Sequence, residues 1–140
     1  MYEILKIDPE TWKEKYAANA RLSVFGEIVE PEDERIDYAL LVAKDKELVI
    51  YVTLKELSRR HVFMCFGGSF PNSRGKSELV RGAFLTMVEK LFETYDEVTF
   101  HTKNSNYPMQ RLSMHAGFVV VGITFGDKHV LLEYNLKKET

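Results

Sequence analysis

Two rhythms of apolar residues run along this chain, one of period two and one near 3.6. Tyr2 to Ile7 alternates as a short strand. Asp8 then stands as a helix cap with Pro9 at the first helical position, and Trp12, Tyr16, Ala17 and Ala20 form one apolar face. Arg21 to Val29 reads either as a second short helix or as an irregular lid anchored by Phe25 and Ile28, and Glu30 to Glu34 reads as an acidic loop. Tyr38 to Ala43 is a strand, Lys44-Asp45-Lys46 a tight turn, and Glu47 to Leu57 the returning strand, with Leu48, Ile50, Val52 and Leu54 on its buried face. His61 to Phe66 is an apolar, β-favouring run that Gly67-Gly68 ends.

The longest amphipathic helix follows. Val80, Phe84, Met87, Val88, Leu91 and Tyr95 recur at helical spacing, so one face packs on a sheet. Glu97 to Thr102 is a strand and Lys103 to Asn106 a loop. Pro108 to Ala116 is a short helix, with Pro108 in its first turn and Gly117 at its end. Phe118 to Phe125 and His129 to Leu136 are the last strands, joined by Gly126-Asp127-Lys128 as a hairpin. A strand, helix, strand connection over 61–102 implies a parallel pair, while the flanking hairpins imply antiparallel neighbours. The expected fold is α/β (α+β): a mixed, mostly antiparallel sheet of about seven strands with helices on both faces.

Composition adds little and excludes some classes. The 140 residues suit one domain, 1–140, with a real core. The net charge is −2 with no long basic block, which argues against a dedicated nucleic-acid binder. Cys65 is the only cysteine, so no internal disulfide framework exists and a reducing cytoplasm is the expected setting. The N-terminus lacks the basic and apolar regions of a signal peptide, and no apolar run reaches the length of a membrane span. The four histidines show no paired ligand spacing, so no metal site is expected.

Candidate chemistry gathers before the long helix. Asn72, Ser73, Arg74, Gly75 and Lys76 lie between strand and helix. A helix N-terminus exposes unpaired N–H groups with a partial positive charge, and two cations beside it make a phosphate cradle. An ordinary strand-to-helix turn with solvated basic residues accounts for the same pattern.

Two local patterns now meet the element order. Arg74-Gly75-Lys76-Ser77-Glu78-Leu79 resembles the [Q/R]-x-x-G-x-[G/A] loop of the GNAT superfamily of acetyl-CoA-dependent N-acetyltransferases. The segment from Asn106 through Met109, Leu112 and Ser113 to Gly117-Phe118 resembles that family's N-x-x-A-x-x-L-Y-x-x-x-G-F segment. Ser77 and Leu79 stand where the family prefers small residues, and Ser113 stands where it often has a tyrosine that protonates the departing thiolate.

The resemblance implies a cofactor, acetyl-CoA or CoA. Its pyrophosphate would lie on Arg74, Gly75, Lys76 and Ser77. Its pantetheine arm would lie along Cys65, Phe66 and Gly67 where the fourth and fifth strands splay apart, with Asn106 alongside. An unidentified amine would attack the thioester directly. His101, or else His61, is the candidate base, and Ser113 or Tyr107 the candidate acid. Each also has a plain reading: a strand histidine for either base, loop packing for Tyr107. Glu27 and Glu30 could draw a cationic amine or simply be solvated. Cys65 reads as a small apolar residue. The alternative implied by overall likeness is a non-catalytic protein of this fold carried by a tailed bacteriophage, with virion proteins as partners. The strands from Phe118 to Leu136 are apolar enough for an exposed edge to pair with a second copy, and a buried edge explains them equally.

Overall fold

The computed structural model describes residues 1–20, 35–125 and 130–139. The elements are β1 (Tyr2–Ile7), α1 (Pro9–Thr11), a π-helical turn (Trp12–Tyr16), α2 (Ala17–Ala20), β2 (Tyr38–Lys44), β3 (Glu47–Ser58) and β4 (His61–Ser69). A 3₁₀ turn (Pro71–Ser73), α3 (Ser77–Leu91), β5 (Glu97–Lys103), α4 (Tyr107–Ala116), β6 (Val119–Phe125) and β7 (Val130–Lys137) follow. The strands form one seven-stranded sheet in the order β1-β2-β3-β4-β5-β7-β6. The β4–β5 pair is parallel; β1–β2, β2–β3, β5–β7 and β6–β7 are antiparallel. This is the mixed sheet that the hydrophobic pattern predicts. The Arg21–Val29 segment with Glu27, the acidic loop from Glu30 to Glu34, and the Gly126–Lys128 turn lie outside the described residues.

The chain divides into two compact units, one of Met1–Lys55 with Cys65–Met87, the other of Glu56–Met64 with Val88–Thr140. In the first, Asp8 caps α1 by accepting from the Thr11 N–H at 2.7 Å, and Pro9 occupies the first turn. The next turn widens to i→i+5, with Ala17 N–H bonded to the Trp12 carbonyl. The Trp12 ring lies 5.2 Å from the Tyr51 ring, and Tyr51 meets the edge of Phe70 at 5.6 Å. Ala17, Ala20, Ile36, Ala39 and Leu41 complete this buried cluster, with Cys65 packed at its margin. Truncating a tryptophan so placed costs about 3–5 kcal/mol. The β2–β3 turn carries Asp45 and Lys46 at φ 52° and 67°, the left-handed pair that a two-residue hairpin demands.

Gly67 and Gly68 do not end β4, contrary to the sequence expectation; the strand runs on to Ser69. They are glycines because Tyr51 lies against them. A Cβ on Gly67 would sit 3.2 Å from the Tyr51 carbonyl oxygen, and one on Gly68 3.2 Å from the Tyr51 ring. Flatness here lets the aromatic cluster close over the strand.

In the second unit, the parallel register runs from His61–Glu97 to Met64–Phe100. Arg60 precedes it and grips both carboxylate oxygens of Asp96 at 2.7 Å, while its carbonyl accepts from the Asp96 and Glu97 N–H groups. Phe100 stacks on Tyr134 at 5.2 Å and meets the edge of Phe118 at the same distance. Burial pushes the Tyr134 phenol up from its ordinary value of 10.0. Gly117 ends α4 at φ 96°, as expected, with Phe118 N–H bonded to the Ser113 carbonyl and Gly117 N–H to that of Met114. On α3, Ala83, Phe84, Met87, Val88 and Leu91 are buried, and so is Tyr95 beyond its end.

Candidate functional site

The start of α3 is built from below. Ser73 is buried, and its hydroxyl lies in hydrogen-bond contact with the Val49 and Phe70 carbonyls. Phe70 N–H in turn reaches the Val49 carbonyl at 2.9 Å. This pins the chain just before Arg74. Gly75 then adopts φ 84°, where a side chain is strained, and a Cβ there would meet nothing within 4 Å. The first helical bond runs from Val80 N–H to the Lys76 carbonyl at 3.0 Å. The N–H groups of Ser77, Glu78 and Leu79 therefore have no acceptor within the helix, and the helix dipole adds positive potential. Gly75, Lys76 and Ser77 are exposed; Arg74 is half-buried, with its Nε 3.3 Å from the Ser69 carbonyl.

Two residues from distant parts of the sequence join this turn. An open cavity of about 550 Å³ is lined by Tyr2, Lys44, Lys76, Ser77, Glu78 and Leu79. Tyr2 donates its hydroxyl to the Leu79 carbonyl at 3.2 Å, and the Lys44 ammonium sits 5.0 Å over the Tyr2 ring. Leu79 is half-buried and leaves the turn at Gly75 open. Nothing in local sequence points to Tyr2 or Lys44: β1–β2 pairing sets the two side by side, and the Tyr2 hydroxyl reaches α3. The lining brings first-turn backbone donors and two lysines, Lys44 and Lys76, together with the Glu78 carboxylate, and Arg74 stands next to it in sequence.

On β4, Thr53 takes both main-chain groups of Phe66. The Phe66 N–H donates to Thr53 Oγ1 at 3.1 Å, and that hydroxyl donates to the Phe66 carbonyl at 3.3 Å. Successive main-chain groups of a strand point to opposite edges, so those of Cys65 and Gly67 face away from Thr53. The half-buried Cys65 packs beside the Trp12 cluster.

The start of α4 is occupied by its own bonds. Asn106 is its cap, accepting from the Met109 N–H at 3.2 Å. Gln110 donates to the Asn104 carbonyl at 2.8 Å. Ser113 is fully buried and donates to the Met109 carbonyl at 2.7 Å. That geometry gives its hydroxyl a helix-internal role in place of the acid role that the motif suggested. Tyr107 is 66% exposed at the first position of α4.

The two candidate bases differ. His61 Nε2 lies 2.7 Å from Thr99 Oγ1 and 3.8 Å from Glu97, and Asn135 donates to both Glu97 and Thr99. It belongs to a cross-strand polar network. His101 is 39% exposed, with Nε2 3.0 Å from Glu133 Oε1 and Phe63 edge-on at 5.1 Å. A carboxylate on Nε2 fixes the proton there and turns the lone pair to Nδ1. Among the described residues, no cluster of three or more histidine, cysteine or carboxylate side chains could hold a metal ion, and no helix is long and apolar enough to cross a membrane.

The chain matches no protein-family model, and no curated protein matches it. Solved structures do. The ribosomal-protein-S18-alanine N-acetyltransferase of Escherichia coli superposes with a TM-score of 0.73 at 12% identity, over 100% of this chain and 96% of that one. A GNAT-family acetyltransferase of Bacillus cereus gives 0.71 at 17% identity, over 100% and 99%. A Bacillus subtilis acetyltransferase solved in complex with CoA gives 0.59 at 16%, over 71% and 76%. With the strand order and the parallel β4–β5 pair already in place, these likenesses establish that the chain has the GNAT fold.

Proposed function

We propose that this protein is an N-acetyltransferase of the GNAT type that takes its acyl group from acetyl-CoA. The observation that carries the reading is the start of α3: a left-handed Gly75 with empty space where a Cβ would be, followed by three first-turn N–H groups without helical acceptors. A diphosphate fits such a cradle, with the side chains of Lys76 and Arg74 as charge partners. The far end of β4, at Gly67, is where an extended pantetheine arm would lie along the strand. Acetyl-CoA supplies a thioester carbonyl that an amine can attack without a covalent enzyme intermediate.

His101 is the residue we assign to receive the amine proton at Nδ1, with Glu133 holding its ring. The new C–N bond forms as the C–S bond breaks, and the leaving thiolate takes a proton from water or from the exposed Tyr107. Ser113 has no part in this, because its hydrogen is directed into its own helix. The Ser113 hydroxyl, committed to its own helix, favours a second reading, in which the scaffold persists without turnover and serves assembly with other proteins. A thiol-release assay with acetyl-CoA against a panel of primary amines separates the two. Turnover that falls on His101→Ala supports the enzyme; CoA binding without turnover for any amine supports the scaffold.

A further inference from the structure

A buried phenol ordinarily finds a firm partner for its proton. Tyr95 has one: it is 1% exposed and donates to Glu56 Oε1 at 2.6 Å. Tyr134 is equally buried, at 2% exposed, yet among the described residues its hydroxyl meets Gln110 Oε1 at 3.5 Å, the outer limit of a hydrogen bond. Gln110 is itself held, with its Nε2 donating to the Asn104 carbonyl at 2.8 Å. The Tyr134 ring is fixed all the same, stacked on Phe100 with the two planes 6° apart. The ring is therefore held tightly and its proton loosely, the reverse of what a purely structural tyrosine requires. Gln110 is half-buried, so the tip of the phenol stands at the boundary of the core.

We infer that Tyr134 is the acid that protonates the departing thiolate, a role that rests on the acetyl-CoA reading above. Its place in the sheet argues for this task. The parallel β4–β5 register closes at Met64–Phe100, and Tyr134 is the residue opposite Phe100 on β7. Its hydroxyl reaches Gln110 in the first turn of α4. Gln110 and Ser113, three residues apart, share one side of that helix. Tyr134 thus brings a phenol from β7 to the side of α4 where the helix's own hydroxyl, on Ser113, is bonded to Met109. Burial raises the phenol, so it keeps its proton at neutral pH. A thiolate in the same poorly solvated setting also binds a proton more tightly, which brings the transfer close to balance. As the C–N bond forms and the C–S bond breaks, the Tyr134 proton moves to sulfur. The phenolate then recovers a proton from water, as His101 releases the one taken from the amine. Water and the exposed Tyr107 are the slower solvent route, which survives when the Tyr134 hydroxyl is removed.

Tyr134→Phe keeps the ring against Phe100 and removes the hydroxyl alone. Turnover should fall by about 100-fold, with KM for acetyl-CoA within about twofold and an unchanged far-ultraviolet spectrum. A second readout needs no turnover: calorimetry of the full chain with CoA and with desulfo-CoA, which lacks the thiol, at about pH 7 and about pH 9.5, either side of thiol ionisation. Ionised sulfur accepts a charge-assisted bond, so the preference for CoA over desulfo-CoA should grow by about tenfold with pH in the wild type and stay flat in Tyr134→Phe. The ratio of the two ligands cancels every group that treats them alike. Turnover untouched by Tyr134→Phe, a preference that does not grow in the wild type, or one that grows equally in both proteins would each overturn the assignment and leave the acetyl-CoA reading standing. No binding of CoA at millimolar concentration would overturn that reading, and this role with it.

Discussion

The starts of α3 and α4 both resemble known motifs, yet their polar groups do opposite things. At α3 the first-turn N–H groups lack helical acceptors, and Gly75 leaves room above them. At α4, Asn106 answers Met109, Gln110 answers Asn104, and Ser113 turns back on Met109. The lesson concerns motifs. Asn106 at its matched position is fully accounted for by helix capping, and Gly117 by a left-handed helix end at φ 96°. Of the two starts, that of α3 is the one whose first-turn donors lack helical acceptors.

The largest expected effect breaks the α3 side of this contrast. Arg74→Glu combined with Lys76→Glu removes two charge-assisted contacts and adds repulsion. CoA affinity measured by calorimetry should fall by about 100-fold, or about 3 kcal/mol. If affinity survives, the diphosphate lies elsewhere. Next, Asn106→Ala should cost about 1 kcal/mol of unfolding free energy in a denaturant titration, as lost caps do, and leave CoA affinity within about twofold. A large loss of affinity with intact stability would make Asn106 a ligand contact after all. Ser113→Ala should change turnover by less than about threefold, because its hydroxyl serves its helix. A fall of about 100-fold would restore it as an acid.

A third helix start gives the smallest effect. The Thr11 N–H beside Asp8 holds its carboxyl below the ordinary value of 3.8. A depressed folded value means stability that is present above the unfolded pKa and lost as pH falls through the folded one. Melting temperature should therefore drop slightly as the pH is taken below about 4, and Asp8→Asn, which caps without titrating, should flatten that part of the profile. The same direction holds for Asp96, which the Arg60 hydrogen bond keeps low, so Asp96→Asn supplies the control for the remaining slope.

Much of this was legible before any coordinates. Apolar runs located every described strand and the long helix to within a few residues, although the one buried face expected of Glu47 to Leu57 is two, since Val49, Tyr51 and Thr53 are buried along with Ile50, Val52 and Leu54. Asp8-Pro9 and Gly117 marked helix ends by local rules of donors and left-handed backbone. What escaped depended on contacts between distant segments. Gly67-Gly68 looked like a terminator, whereas they lie within β4 against Tyr51, distant in sequence. Tyr2 and Lys44 meet the α3 start through contacts between distant segments, which leave no local trace. The π turn at Trp12–Tyr16 follows no sequence rule we can state. Ser113 matched a motif position by number, but its burial and back-bond come from how α4 packs.

One comparison of ligands tests the diphosphate cradle most directly: calorimetric titration of the intact protein with CoA and with pantetheine, the same thiol arm without the nucleotide and its phosphates. The expected result is saturable CoA binding and pantetheine binding weaker by about 100-fold or more, since the charge-assisted contacts at Arg74, Lys76 and the first turn of α3 are gone. Equal affinity for both, or no heat from either at millimolar concentration, would contradict the account.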